Sequence, residues 1–264
     1  MVIRSLIILL ALTVSVSAQR ICPPNQVNRN GLVGRWLVPG KQTGAVATPT
    51  RCLDDSNKGN HGTTVASPNY GVIFSRAAMT FNGSSQYVSV GTMGSFGSSR
   101  NNITVSAWVN TSNRTNIMGV LGTSDDYTTG RNALALYVNA KNDQTLLAGS
   151  VRVAFISNDS TPLKLVGATD ANSVPADGWH LITAVLTAST NTIIIYVDGV
   201  SKTVTYNVQA TPANFANFSN PMEVGAMYRG YYVDYYFNGS IDDVRIYNRT
   251  LSASEVRAIY QGEQ

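Results

Sequence analysis

"NGSIDDVRIYNRTLSASEVRAIY", residues 238–260, decides the fold of this 264-residue chain. Its first half reads as a β-strand, in which strict alternation puts Asp242 on one face with Val244 and Ile246, and Asp243 on the other with Arg245. With only 15 Asp and Glu in the chain, adjacent carboxylates in a strand raise a question, because one must point inward. An unpaired inward carboxylate is costly or is forced neutral. Asp242 is therefore expected to need a partner, and Asp243 to reach solvent or an exposed ion pair. The second half reads as a short helix. Ser252 and Glu255 form a capping box, Leu251 and Val256 a hydrophobic staple, and Gly262 offers a stop.

The composition surrounding that stretch favours strands throughout. At 44% hydrophobic and 13% charged, the chain is globular rather than disordered. Gly, Asn, Ser and Thr abound while Glu occurs only at 223, 255 and 263, which favours short strands joined by turns. A net charge of +4, scattered and without basic clusters among aromatics, excludes a nucleic-acid partner. Residues 1–18, with Arg4, an apolar run from Leu6 to Leu12 and the small pair Ser17-Ala18, read as a secretory signal. That run is too short to span a bilayer, and no later segment qualifies. A secreted, extracellular protein is expected, whose two cysteines, Cys22 and Cys52, pair in an oxidising compartment. Eight N-x-S/T sequons follow. Asn102, Asn110, Asn113, Asn158, Asn217, Asn238 and Asn248 are candidate glycosylation sites, and Asn82 is set aside for the reason given below.

The strand pattern recurs along the chain. Ile103, Val105, Ala107 and Val109 alternate with Thr104, Ser106 and Trp108, the period of a sheet with one face in a core. Residues 179–187 and 192–197 are more continuously apolar, as strands covered on both faces would be. Asp198-Gly199 is a two-residue hairpin signal, so 192–197 is expected to pair with 200–206. Further candidates are 32–38, 78–82, 86–91, 116–122, 132–138, 150–156 and 221–227. No linker or repeat divides residues 32–264, and a two-layer sandwich is the economical arrangement.

The order "GLVGRWLV" (31–38), "DDSNKGNHG" (54–62), "MTFNGSSQYVSV" (79–90), "NNITVSAWVN" (101–110), "DGWHLITAVL" (177–186), "IIIYVDGV" (193–200), "MEVGAMY" (222–228) and "FNGSIDDVRIYNRTLSASEVRAIY" (237–260) resembles the LamG-like jelly-roll domain of the concanavalin A-like lectin/glucanase superfamily. The resemblance implies an all-β, two-sheet antiparallel jelly-roll sandwich with one short C-terminal helix and with its first and last strands side by side. It divides the chain into a signal peptide (1–18), an N-terminal segment (19–31) and a LamG-like domain (32–264). Members of this family bind glycans or proteins, commonly as accessory modules. Here an insertion, "PGKQTGAVATPTRC" (39–52), lengthens the first loop.

The family resemblance also supplies the partner that Asp242 needs. The "DDSNKGNHG" loop lies near it in the family, so Asp54, Asp55, Asn57 and the carbonyls of Gly59 and Asn60, with Asn82 and Asp242, form a candidate oxygen shell for a structural Ca²⁺. The competing reading has Asp54 and Asn57 in Asx-turns and Asp242 bound to backbone amides. If Asn82 faces the ion, its sequon is closed. His61 and His180 are the only histidines, too few for a zinc site, and His180 reads as a packed or edge residue.

Catalysis is not expected. A glycosidase needs two converging carboxyls, which the superfamily's hydrolases set along one strand as E-x-D-x-E, and here Glu223 stands alone in "PMEVGAM". No G-x-S-x-G or P-loop occurs. Two functions remain: a lectin-like module for glycans or extracellular proteins, and a structural subunit of a matrix, fibre or filament that self-associates through its N-terminal segment or sheet edges. Both converge on "YRGYYVDYYF" (228–237), which holds five of the 13 tyrosines. Tyr228, Arg229, Tyr232, Asp234 and Tyr236 are the candidate ligand residues, the tyrosines stacking on sugar faces and the charged pair hydrogen-bonding. The alternative is that Tyr231, Val233, Tyr235 and Phe237 merely cover the sheet.

Overall fold

The structure is a computed structural model and describes residues 28–37, 51–73, 76–93, 102–123, 133–141, 144–156, 164–208, 220–230 and 232–262. The expected leader, Cys22, Asn158, Asn217 and Tyr231 lie outside the described residues. In chain order the strands are β1 (Leu32–Trp36), β2 (Arg51–Cys52), β3 (Gly62–Val65), β4 (Asn69–Ile73), β5 (Arg76–Asn82), β6 (Tyr87–Gly91), β7 (Asn102–Asn110), β8 (Met118–Gly122), β9 (Ala133–Ala140) and β10 (Leu146–Ile156). They continue as β11 (Lys164–Thr169), β12 (His180–Thr187), β13 (Thr192–Val197), β14 (Val200–Lys202), β15 (Val204–Val208), β16 (Met222–Val224), β17 (Met227–Tyr228), β18 (Val233–Asp234) and β19 (Asn238–Tyr247). Helix α1 (Ala253–Gly262) ends the fold.

Two antiparallel sheets carry nearly all of it. The eight-stranded sheet runs β14-β13-β12-β7-β19-β5-β4, with β1 also paired to β19, and the nine-stranded sheet runs β15-β11-β10-β9-β8-β16-β6-β3-β2. Side chains at alternate positions, among them Ile103, Val105, Ala107 and Val109 of β7 and Leu134, Leu136 and Val138 of β9, meet in one buried core between the sheets. The first and last strands, β1 and β19, pair as the family resemblance implies.

The eight-stranded sheet is covered on its outer face as well. Ser252 and Glu255 cap helix α1 reciprocally, with the Glu255 N–H on Ser252 Oγ at 3.2 Å and the Ser252 N–H on Glu255 Oε2 at 2.8 Å. The capped helix brings Val256 and Ile259 onto Leu32, Val185, Tyr196, Tyr247 and Leu251, a second apolar cluster. This explains why β12 is apolar without alternation: Ile182, Ala184 and Leu186 face the main core and Val185 faces the helix.

Two expectations need correction. The Asp198-Gly199 turn forms, with φ of +55° and +74° as a type I′ hairpin requires, but the strand after it breaks at Thr203. β14 pairs with β13, whereas β15 crosses to the other sheet and pairs with β11. The second concerns the acidic step in β19. Its register slips against β7 between Asp242 and Arg245, and Asp243 takes a left-handed φ of +46°. This β-bulge resets the alternation, so that Ile241, Val244 and Ile246 all face the core and Asp242 does not share their face. Asp242 lies opposite Trp108, on the outer face of the eight-stranded sheet.

Candidate functional site

The bulge sits where β19 changes partners. One flank of β19 pairs with β7 along its length, while the other pairs with β5 over Asn238–Ile241 and with β1 over Val244–Tyr247. Each strand at this splice delivers an arginine. Arg76, the first residue of β5, places Nη1 3.1 Å from Asp242 Oδ2 and stacks 3.9 Å over the Trp108 ring, which in turn stacks on Tyr260 of helix α1. Arg35 of β1 grips Asp243 with Nε and Nη2, both at 2.8 Å, and Arg245 grips it from the other side at 3.0 and 2.7 Å. Asp243, expected at the surface, is almost wholly buried. Burial alone would push its carboxyl upward, but the Arg245 and Arg35 guanidiniums outweigh that and hold it well below the usual carboxylate range. The sequence signals that escape a periodicity reading are Arg35 inside the otherwise apolar "LVGRW" and Arg76 at the head of β5.

The residues expected around an ion are engaged otherwise. Asp54 is buried, and its two oxygens accept four hydrogen bonds, from the N–H groups of Arg35, Ser56 and Asn60 and from Ser56 Oγ, at 2.7–2.9 Å. Asp55 pairs with Arg29 and Arg35. Asn57 and Gly59 are exposed and supply the loop's left-handed turns, with φ of +67° and +77°. The side-chain amide of Asn60 donates to Val33 O at 2.7 Å. Asn82 folds its carboxamide over its own turn, accepting from the N–H groups of Ser84, Ser85 and Gln86. Among the described residues no group of three or more His, Cys, Asp or Glu is placed to hold a metal. Asp54 thus organises its loop through backbone and hydroxyl donors, the arrangement of an Asx-turn.

Cys52 is a buried free thiol in the structure, and Cys22, its expected partner, lies outside the described residues. The Sγ of Cys52 lies in the main core and donates to Leu37 O at 3.7 Å; burial first, then Asp242 and Asp54, push the thiol up to about 12.

The expected tyrosine segment folds as a hairpin of its own, β17 with β18. It lies on the outer face of the nine-stranded sheet, where Met227 and Tyr235 pack with Ala135, Tyr137, Ala140, Ala154 and Val166. Tyr235 meets Tyr137 edge-on at 5.7 Å, while Arg229 lies 5.2 Å over the Tyr235 ring and donates to Gln144 Oε1 at 3.0 Å. Tyr232 is 56% exposed; Tyr228, Arg229, Asp234 and Tyr236 are half-buried. Tyr228 donates its hydroxyl to Gly230 O at 2.6 Å, and Asp234 Oδ1 accepts the Tyr235 N–H at 2.7 Å. Tyr235 thus covers the outer face of the sheet, as the alternative reading has it, whereas Phe237 enters the main core and Tyr232 faces solvent.

The same face carries Glu223, which in the sequence stands out only as a lone acid. Glu223 lies between Met222 and Val224, both in the core, so its side chain points outward. Across the sheet it stands in one row with Ser89, Gly122, Ala135 and Ala154. Ser89 Oγ donates to Oε1 at 3.2 Å, and Oε2 is buried without a partner. Burial pushes Glu223 up to about 8, against the Ser89 hydrogen bond, and so favours its neutral form. Beside it Tyr87 and Tyr236 tilt together with ring centroids 6.2 Å apart, and burial, the Glu223 charge and Tyr236 raise the Tyr87 phenol.

The sequons divide by exposure. Asn82 and Asn238 are exposed; Asn102, Asn113 and Asn248 are half-buried. Asn110 is half-buried, and the Nδ2 atom that would carry a glycan is enclosed.

Two antiparallel sheets with paired terminal strands and an aromatic hairpin on one outer face define a lectin-like jelly roll. The chain belongs to the Laminin_G_3 family of the concanavalin A-like lectin/glucanases superfamily, whose sequence profile matches residues 82–257. No curated protein sequence matches it. Among solved structures it is similar to the receptor binding domain of botulinum neurotoxin C/D mosaic serotype, at 12% identity and a TM-score of 0.60, over 89% of this chain and 52% of that one. It is also similar to the binding domain of botulinum neurotoxin DC in complex with SialylT, at 13% identity and a TM-score of 0.59, over 89% and 52%. A third is domain 4 of AbnA, an extracellular arabinanase from Geobacillus stearothermophilus, in complex with arabinotriose, at 18% identity and a TM-score of 0.55, over 88% and 98%. The chain spans about half the length of the neurotoxin domains. At these identities the likeness establishes the fold.

Proposed function

We propose that this protein is a secreted, non-catalytic glycan-binding module whose ligand face is the outer face of the nine-stranded sheet beside the β17–β18 hairpin. The carrying observation is the concentration there of Tyr232, exposed at 56%, the tilted Tyr87–Tyr236 pair and the half-buried Ser89, whose hydroxyl is held by the buried Glu223. Aromatic faces suit the apolar faces of sugar rings, and the hydroxyls of serine and tyrosine suit their hydroxyls. The solved domains with arabinotriose and SialylT support the reading at the level of fold. A glycosidase would need a second carboxyl near Glu223. The described carboxylates of the acidic step lie instead on the other sheet, bound to arginines.

The test is retention on a glycan array by wild type and by Tyr232→Ala with Tyr236→Ala. Retention should fall at least about tenfold while the protein stays monomeric, since stacked interface aromatics are worth on the order of 1 kcal/mol each. Binding unchanged in the double variant rejects this face. One observation favours self-assembly as a second reading. Strand β4, "NYGVI", ends the eight-stranded sheet without a charge or proline and exposes Val72 at 72%, an undefended edge. Polymers on size-exclusion chromatography that Val72→Lys abolishes, with no glycan retained, would favour that reading.

A further inference from the structure

We propose that Asn82 and Asn238 form one shared acceptor position for an N-linked glycan, filled once per folded molecule; the proposal rests on the secretion reading above. Each opens an Asn-Gly-Ser sequon, and 156 residues of sequence numbering separate them, yet the fold places them directly opposite each other in the β5–β19 pair. The cause is topological. Residues 82–87 carry the chain from β5 in one sheet to β6 in the other, and residues 236–238 carry it back from the hairpin to β19. These crossovers run side by side: the Gly83 N–H donates to Phe237 O at 2.9 Å, and Tyr87 touches Tyr236.

Both asparagines are exposed, and their side chains share one patch. A β-carbon built on Gly83 would lie 2.8 Å from Asn238 Cβ, so the Asn238 side chain leans over the turn that Asn82 organises. Opposite residues of an antiparallel pair hold their β-carbons only about 4.5–5.5 Å apart. Two branched oligosaccharides rooted at that spacing would compete for the same space above the strand pair, whereas one has open solvent.

Either asparagine tolerates the modification. Transfer from a lipid-linked oligosaccharyl diphosphate breaks the sugar C1–O bond, the diphosphate leaves with the electron pair, and C1 bonds to Nδ2, which loses one proton and keeps one. In Asn82 the remaining N–H suffices for the bond to Ser85 Oγ at 3.0 Å, and Oδ1 still accepts from the Ser84, Ser85 and Gln86 amides. Asn238 is held through its main chain, whose N–H donates to Met118 Sδ at 3.3 Å and whose carbonyl accepts from Thr111 Oγ1 at 2.6 Å. A glycan here stands at the Tyr87–Tyr236 end of the candidate ligand face.

The experiment counts glycans by intact mass on the full chain, secreted from a cultured eukaryotic cell line under its own leader. Asn82→Gln alone and Asn238→Gln alone are expected to leave the number per molecule unchanged, because the other member takes over, and the double variant to lose one. Ser84→Ala and Ser240→Ala repeat the test by removing each sequon while keeping both asparagines. Loss of one glycan in each single variant shows both positions filled and overturns the proposal. An unchanged count in the double variant shows neither filled and overturns it too. A chain retained in cells with every sequon bare refutes the secretion reading together with this one, an outcome distinct from the other two.

Discussion

Removing the carboxylate of Asp243 is expected to be the most damaging single change in the strand that ends the sandwich. Asp243 accepts four hydrogen bonds, two from Arg35 and two from Arg245, where almost no solvent reaches. Asp243→Ala removes the buried anion shared by Arg245 and Arg35, the latter keeping Asp55, a loss of about 3–5 kcal/mol for a broken buried pair. For a domain of this size each kcal/mol moves Tm by about 2–4 °C, so the variant should melt about 6–20 °C lower. Replacing the carboxylate and both guanidiniums together, Asp243→Asn with Arg35→Met and Arg245→Met, should recover part of that loss, because Asn keeps the left-handed φ of +46° and much of the cost lies in stranding charges rather than in losing an attraction. The sign with pH follows from the depressed carboxyl. Its contribution is complete above the unfolded value near 3.8 and is lost as pH falls through the lower folded one. Calorimetry of the single and triple variants, with and without EDTA, is the assay. Because arginines and amides already fill the carboxylates of Asp54, Asp55 and Asp243, chelator should leave the wild-type Tm unchanged. An Asp243→Ala melt within about 2 °C of wild type, or a large downward shift with EDTA, would refute the reasoning.

Three further outcomes follow from titratable groups. His180 sets Nδ1 2.7 Å from Asp198 Oδ2 and Nε2 2.6 Å from Asp177 O, two acceptors that the protonated ring satisfies together. The Asp198 hydrogen bond raises it above 6.5 against burial; its stabilisation is complete below 6.5 and lost as pH rises through the folded value, and a His180 NMR titration midpoint at or below 6.5 would refute this. Glu223 is raised from 4.5 to about 8, so stability should decline across that window; Glu223→Gln should gain on wild type between melts at pH 5 and pH 8, and a constant difference would show the carboxyl to be solvated. Cys52 should resist alkylation in the native protein and label after denaturation without reductant, whereas native labelling, or none after denaturation, contradicts a buried free thiol.

The local signals of this fold were legible in the sequence. Ser252 with Glu255 fixes the start of α1, Asp198-Gly199 fixes the tightest hairpin, and the alternation through Ile103–Val109 tells which face of β7 enters the core. Each is a rule about residues a few positions apart. What stayed hidden depends on residues far apart in sequence. Nothing near Thr203 announces that the chain changes sheets, since β14 and β15 are both plain strand sequence, and the partner of β15 lies in β11. The row joining Glu223 to Ser89 and the small residues of β8, β9 and β10 exists only once those registers are set.

The Asp242-Asp243 step shows why a periodicity argument reached the right question and the wrong geometry. Alternation assumes two residues per repeat without interruption, and on that assumption Asp242 must share a face with Val244 and Ile246. The bulge breaks the assumption at the residue whose chemistry demanded explanation: with φ at +46°, Asp243 adds one residue to the count and turns both carboxylates away from the apolar core. There they meet arginines from the two strands that succeed each other along the same flank of β19. Arg76 arrives with β5 and Arg35 with β1, so the acidic pair ties together two strands that share an edge with β19 in succession. The demand of a buried carboxylate for a partner is thus met by the chain's own cations at a splice between strands. Asp54, with both oxygens filled by backbone and hydroxyl donors, answers the same demand in the adjacent loop, which bridges to β1 through Trp36.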